Sequence, residues 1–307
     1  MHSSRPVLVA SRRSPPWRVL AEDYRRSGRY RTELFVPKPL PPGFPTDLLA
    51  RIQLWNETFS LDFFTCRARL SDIAEASWRA VRGAEIVSNP DPRYLAERVR
   101  SAPDTLVCFT DDDDWFAPAL VEELAKLDAK DICALRWAAP LFNGHWQFRF
   151  MPRFHERGFV RAYRRIRHIP VLVSAFQRLI RLIALPKNAQ LAGNIFFTNN
   201  YALGSGFLAN YATFAPATDH CDATDLFLAN RLPIQTFPSL PLSVTNKHPC
   251  SAGVLGHAIQ STAAKSALRS YVEQYVSNAQ TATTPPGLNW AQPYLLGTVR
   301  LFSEALG

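Results

Sequence analysis

The sequence predicts an α/β fold, a mostly parallel sheet flanked by helices, with a helical basic insertion and a helical C-terminal extension. Three observations predict it. Strand-like and helix-like pieces alternate through the first half, the pattern of parallel strands joined by helices. A short apolar run, Thr105 to Thr110, ends on four consecutive aspartates, Asp111 to Asp114. After residue 140 the alternation gives way to a hairpin signal, a basic stretch and a helical tail.

Each element has its own justification. Pro6 to Ala10 reads as a first strand, and Leu61 to Cys66 is a second candidate for that place. Trp17 to Arg26, Leu48 to Phe59, Ser71 to Val81 and Pro92 to Arg100 have helical spacing. Thr32 to Val36 is strand-like, and the proline-rich run at 37–45 is a loop. Ala84 to Val87 is extended. The apolar run before Asp111 reads as a buried parallel strand. Ala119 to Leu127 is then helical, and Asp131 to Trp137 is another strand. Asn143-Gly144, set between Phe142 and the alternating Trp146, Phe148 and Phe150, marks a hairpin. Phe196 to Leu208, with two asparagines and two glycines, reads as loop. A helix is expected near 222–232 and a last strand at Leu240 to Val244. Two helices separated by Thr281 to Gly287 complete the chain. The domain reading is 1–250 for the α/β body and 251–307 for the extension.

Composition narrows the class. With 307 residues and 47% apolar content the chain can bury a real core. Five cysteines, an odd number with no CxxC spacing, point away from a zinc site or disulfide framework and toward a reducing compartment. No stretch approaches the roughly 20 apolar residues of a membrane span. The expectation is a cytoplasmic protein, with peripheral contact to the inner face of the membrane as an open extension of it. That extension comes from charge. The net charge is +9, and residues 151–187 hold nine Arg or Lys against Glu156 alone, a net +8 that leaves +1 for the rest. Within 157–185 the arginines mix with Ile, Leu, Val and Phe. Such a segment suits an anionic membrane surface or an acidic glycan, and equally a helical insertion with solvated arginines. No nucleic-acid motif accompanies the charge.

The aspartates carry the chemistry. Adjacent carboxylates repel one another, and a hard divalent cation such as Mg²⁺ removes that penalty by taking oxygen ligands. Their place beyond the end of a strand is where open α/β sheets bind ligands. The competing reading is a helix cap, with Asp114 at the start of a helix over 115–127.

Asp111 to Pro118, followed by a helix, resembles the DxDD…P segment of GT-A-type glycosyltransferases, family 2-like. The resemblance implies that Asp111 and Asp112 lie on the nucleotide-sugar donor. It implies that Asp113, with Asp114, binds the metal bridging the diphosphate, Mn²⁺ or Mg²⁺. Thr224 to Leu232 resembles the family's ED-x-x-L-x-x-RL segment, with Thr224 in place of Glu. That implies Asp225 as general base of an inverting reaction, with Asp222 competing for the role. Val244-Thr245-Asn246-Lys247-His248 resembles the late segment whose histidine completes metal coordination, with Lys247 on the leaving diphosphate. Asn199, Asn200, Gly204 and Gly206 resemble the acceptor-side loop. Trp115 and Trp137 could stack on a sugar or pack in the core. The function implied is transfer of a sugar from a nucleotide-sugar donor to a hydroxyl of a glycan or lipid-linked glycan, as in polysaccharide biosynthesis. Two other classes stay open: a nucleotidyltransferase or phosphohydrolase using the same acids, and a non-catalytic protein binding polyanions or membrane surfaces. A haloacid-dehalogenase-type nucleophile is disfavoured, because Asp113 is followed by Asp114 and Trp115.

Overall fold

The computed structural model describes residues 7–11, 48–88, 97, 98, 100, 101, 105–110, 112–126, 134–137, 139–147, 200–204, 234–236, 241–251 and 263–307. The expectations for 12–47, 148–199, 205–233 and most of 89–104 lie outside these residues, as do the basic insertion and the helix near 222–232.

Strands β1 (Val7–Ser11), β2 (Ala84–Ser88) and β3 (Leu106–Thr110) form one half of a six-stranded sheet, with β1 in the middle and parallel to both neighbours. The other half holds β5 (Ala134–Arg136), β8 (Tyr201–Leu203) and β9 (Ile234–Thr236), and the strand order across the sheet is β2-β1-β3-β8-β5-β9. The sheet is mixed: β8 runs antiparallel to both β3 and β5, while β9 is parallel to β5. A second small sheet joins β4 (Trp115–Phe116), β10 (Ser243–Asn246), β6 (Leu141–Phe142) and β7 (Trp146–Gln147), also with both pairing senses. The described residues combine helices with small mixed sheets, in place of the mostly parallel sheet that the alternation predicts. The β8 strand corrects the loop reading of that stretch. Among the described residues of that stretch Tyr-Ala-Leu pairs, too short a run to stand out among asparagines and glycines.

The β3 run is buried on both faces, Leu106, Val107, Cys108 and Thr110 all being at or below 2% exposure. That is why it reads as continuous rather than alternating. The hairpin expected at Asn143-Gly144 is the β6–β7 pair, with Phe142 opposite Trp146. Gly144 takes φ +87°, and a Cβ there would lie 3.3 Å from the backbone of Tyr275, so both conformation and space call for glycine.

Helix α1 (Leu48–Thr58) buries Ile52 and Trp55 one helical turn apart. Helix α2 (Phe63–Arg79) corrects the extended reading of Leu61 to Cys66. Asp62 caps it, its Oδ1 accepting from the backbone N–H of Thr65 at 2.8 Å, and Asn56 Oδ1 accepts from Phe63 N at 2.8 Å. These bonds satisfy donors that a helix start otherwise leaves open. The buried stripe of α2 runs through Phe63, Arg67, Leu70, Ala74 and Trp78, at spacings of three and four. Helix α3 (Leu120–Ala125) is shorter than expected, and no side chain caps it.

The two C-terminal helices fall as the tail predicts, α4 at Ala264–Thr281 and α5 at Gln292–Leu306, with Pro293 in the first turn of α5. They share a core with the body: α4 packs on α1, and α5 packs on α2. Ser60 ties the α1–α2 turn to the end of α5, its backbone N–H and hydroxyl both donating to the Ala305 carbonyl. Among the described residues no helix is long and apolar enough to cross a membrane.

Candidate functional site

Three elements meet beyond the carboxyl end of β3. The turn after β3 supplies Asp112, Asp113 and Asp114, the segment after β10 supplies Lys247 and His248, and α2 supplies Arg67. The turn is fixed from below. Trp78 on α2 donates its indole N–H to the Asp114 carbonyl at 2.9 Å, and Ser77 Oγ accepts from Phe116 N at 3.2 Å. The Asp114 carboxylate is buried and Oδ1 accepts from the backbone N–H of Asn246 at 2.8 Å. Asp114 thus ties the acidic turn to β10. It does not cap a helix over 115–127, since residues 115 and 116 are strand and α3 begins at Leu120.

The tie brings His248 to the aspartates. His248 is fully buried, and its Nε2 lies 2.8 Å from Asp113 Oδ2. Phe302 of α5 lies against the ring at 6.1 Å between centroids and 25° between planes. The C-terminal extension is therefore one wall of the site. The sequence pairs Asp113 with His248 through the resemblance, and their side chains meet.

The sequence reading missed the third member. Arg67 lies on the buried stripe of α2, with its side chain 9% exposed. Its Nη1 donates to Asp113 Oδ2 at 2.8 Å and lies 2.7 Å from His248 Nε2, while Nη2 donates to Asp112 Oδ1 at 2.7 Å. Ser71, one turn along α2, donates to the other oxygen of Asp112 at 3.0 Å. The cation beside these aspartates is a guanidinium of the chain itself. A signal for it was present: an arginine on an otherwise apolar helical stripe needs an internal anion. The strand reading of Leu61 to Cys66 hid the helical phase that exposes that signal. Cys66 and Cys250 lie beside this cluster as free thiols, with Sγ atoms 3.5 Å apart.

Electrostatics follow from the geometry. Burial pushes the Asp113 carboxyl up, but the Arg67 charge and the His248 hydrogen bond outweigh it and hold it well below the usual carboxylate range. Burial lowers the His248 pKa, and Asp113 offsets this only in part, so the imidazole is neutral in the fold. Burial works against the Arg67 charge, yet Asp112 and Asp113 raise its pKa above the ordinary value. Among the described residues, His248 Nδ1 and both side-chain amide atoms of Asn246 are buried without a hydrogen-bond partner.

The remaining predicted residues fall as follows. Lys247 is exposed, and its backbone N–H donates to Phe142 O at 2.7 Å. Its charge reaches Asp113. Asn200 is buried in the sheet, with Nδ2 donating to the Trp137 carbonyl at 3.2 Å, and Gly204 is buried just past β8. Trp115 and Trp137 are core residues, 1% and 0% exposed. Asp111, Asn199, Gly206, Asp222 and Asp225 lie outside the described residues.

The cation that the resemblance implies can be tested against this donor set. Asp113 Oδ2 and His248 Nε2 lie 2.8 Å apart in hydrogen-bond contact, and Arg67 Nη1 reaches both. Among the described residues no three or more His, Cys, Asp or Glu side chains form a group that could hold a metal ion. Mg²⁺ ordinarily takes one or two carboxylates and fills its shell with water and substrate phosphate; Asp113 and His248 alone, both already in contact with Arg67, do not make up a site for it. No family model, no curated protein and no solved structure matches this chain.

Proposed function

We propose that the chain is a GT-A-like glycosyltransferase, moving a sugar from a nucleotide-sugar donor to a hydroxyl of a glycan or lipid-linked glycan with inversion. One observation carries the reading. Asp113 and His248, 135 positions apart in the chain, converge within 2.8 Å beyond the carboxyl end of a parallel strand. A cluster that buries opposite charges is costly to build for stability alone.

In this reading a divalent ion, Mn²⁺ or Mg²⁺, would supply charge neutralisation for the departing diphosphate, and Asp113 and His248 are the residues that would contribute to holding it. Asp112, fixed by Ser71 and Arg67, lines the donor side. Lys247, exposed next to His248, faces the same anionic group. Phe302, buried beside the His248 ring, keeps water from that side of the site, which strengthens each charge interaction there. An aspartate of the 222–225 segment takes the proton of the acceptor hydroxyl. The hydroxyl oxygen then bonds to the anomeric carbon as the diphosphate oxygen leaves.

The test is product identity. Incubation of the protein with a panel of nucleotide sugars and Mn²⁺ is expected to release a nucleoside diphosphate. Release of inorganic phosphate or pyrophosphate would replace the reading with a phosphohydrolase or nucleotidyltransferase. No release with any donor would leave a binding protein.

A further inference from the structure

Cys66 and Cys250 have no part in the proposed sugar transfer, yet the fold brings them together. They are 184 positions apart in the chain, and the Cys250 thiol donates to the Cys66 sulfur at 3.5 Å. Both thiols are free and buried, Cys66 at 0% and Cys250 at 3% exposure. A disulfide holds its sulfurs at about 2.05 Å, so bonding asks for an approach of roughly 1.5 Å. Each thiol sits on an element that carries the charge cluster. Cys66 precedes Arg67 on α2, and its backbone N–H donates to the Asp62 carbonyl at 3.0 Å. Cys250 lies in the turn after His248, where the His248 N–H donates to Ser251 Oγ at 3.1 Å and the Ser251 N–H returns to the His248 carbonyl at 2.9 Å. Cys108 supplies a contrast. It is equally buried, in β3, and among the described residues no second sulfur bonds to it.

We propose that Cys66 and Cys250 form a redox-governed staple: hydrogen peroxide converts the pair to a disulfide that ties α2 to the His248 turn, and a thiol reductant opens it. The oxidant is assigned by size, since thiols this enclosed admit a small neutral molecule before a bulky disulfide reagent. Cys250, the less enclosed of the two, attacks one peroxide oxygen. The O–O bond breaks, an S–O bond forms on Cys250, and the departing hydroxide leaves as water with the thiol proton. The Cys66 sulfur then attacks the Cys250 sulfenic sulfur. The S–S bond forms, the S–O bond breaks, and that hydroxide leaves as water with the Cys66 proton. Two thiols give up two electrons, and one peroxide takes them. Burial pushes the Cys250 thiol up, which makes the first step slow. The second step joins atoms already in contact. The staple stands whatever reaction the neighbouring site performs. It closes a loop that contains β2, β3 and β10, and so restrains the unfolded chain.

The test uses the native full chain. It is treated with hydrogen peroxide until reaction stops, the remaining thiols are blocked with N-ethylmaleimide in urea, and the digest is read by mass spectrometry. The expected product is a cross-linked pair of peptides carrying Cys66 and Cys250, with Cys108 recovered as the blocked thiol. The oxidised protein is expected to unfold at a urea midpoint higher by about 0.5 M or more, and dithiothreitol to reverse the rise. Cys250→Ala treated alike controls for oxidation of the two methionines and is expected to show no rise. Should it fail to fold, Cys66→Ala serves the same purpose, and the peptide map of the wild type needs neither variant. Recovery of Cys66 and Cys250 as blocked thiols, sulfinic acid at either one, or a link through Cys133 or Cys221 in place of this pair would overturn the proposal. So would an unchanged midpoint in the linked protein, or an equal rise in the alanine variant.

Discussion

Replacing Asp113 by Asn changes one charge with almost no change in shape. Arg67 and Asp113 are both largely buried, with side chains 9% and 17% exposed and a 2.8 Å contact. Removing one partner of a buried ion pair costs about 3–5 kcal/mol when the other charge is left alone. Arg67 is not left alone, since Asp112 still holds Nη2 at 2.7 Å, and the new amide oxygen still accepts from Nη1. The loss is then the difference between a charge-assisted and a neutral hydrogen bond plus part of the pair energy, about 1.5–3 kcal/mol. Urea unfolding reads it directly. With a slope of about 3 kcal/mol/M, the midpoint should fall by roughly 0.5–1 M. The coupling to Arg67 comes from the cycle Asp113→Asn, Arg67→Met and the double variant, and should recover most of that energy. A midpoint within about 0.2 M of wild type, or additive variants, would refute the ion pair. From the resemblance alone, Asp113 variants lose turnover with the fold intact. The structure adds a stability loss, so turnover of such variants has to be compared at equal folded fraction.

Two further outcomes follow from the same geometry. Both His248 and Asp113 have pKa values lowered in the fold, so the unfolded chain takes protons first and stability falls with acid. The His248 contribution is complete above about pH 6.5 and is lost below it, and the Asp113 contribution is lost below about pH 4; urea midpoints across pH should show both slopes, His248→Gln should remove the upper one, and a flat profile from pH 7 to 5 would contradict the buried neutral imidazole. Asp114→Ala leaves the buried N–H of Asn246 without its acceptor and should cost about 1–3 kcal/mol, whereas Asp114→Asn should cost under about 1; hydrogen exchange at the Asn246 amide reports the loss, and unchanged protection in the alanine variant would count against the tie between the acidic turn and β10.

How much of this was legible in the sequence differs from element to element. The strand ending on the acidic turn, the Asn143-Gly144 hairpin and the two C-terminal helices come from local signals, and the structure has them. The meeting of Asp113 with His248 came from the order of short motifs. Arg67 was not legible, because Leu-Asp-Phe-Phe-Thr-Cys looks extended until Asp62 is seen as a cap. That single assignment sets the phase of the helix and so the direction in which residue 67 points. The role of Asp114 was legible only as acidity. Its partner is a backbone N–H 132 positions away, and nothing local encodes that bond. Phe302 over His248 was hidden for the same reason: each is an ordinary residue of its own segment, and only the docking of α5 on α2 brings them together.

The guanidinium is stitched to partners 45, 46 and 181 positions away. No contiguous fragment contains that arrangement, and each stitch closes a long loop whose entropy must be met before the charges can compensate one another. A collapsed chain with α2 docked but β10 out of register would trap a positive charge beside too few partners, an expensive state. The cluster therefore acts as a proofreading step on topology: the interior can close over residue 67 only after the turn that follows β3 and the segment that follows β10 have found their places.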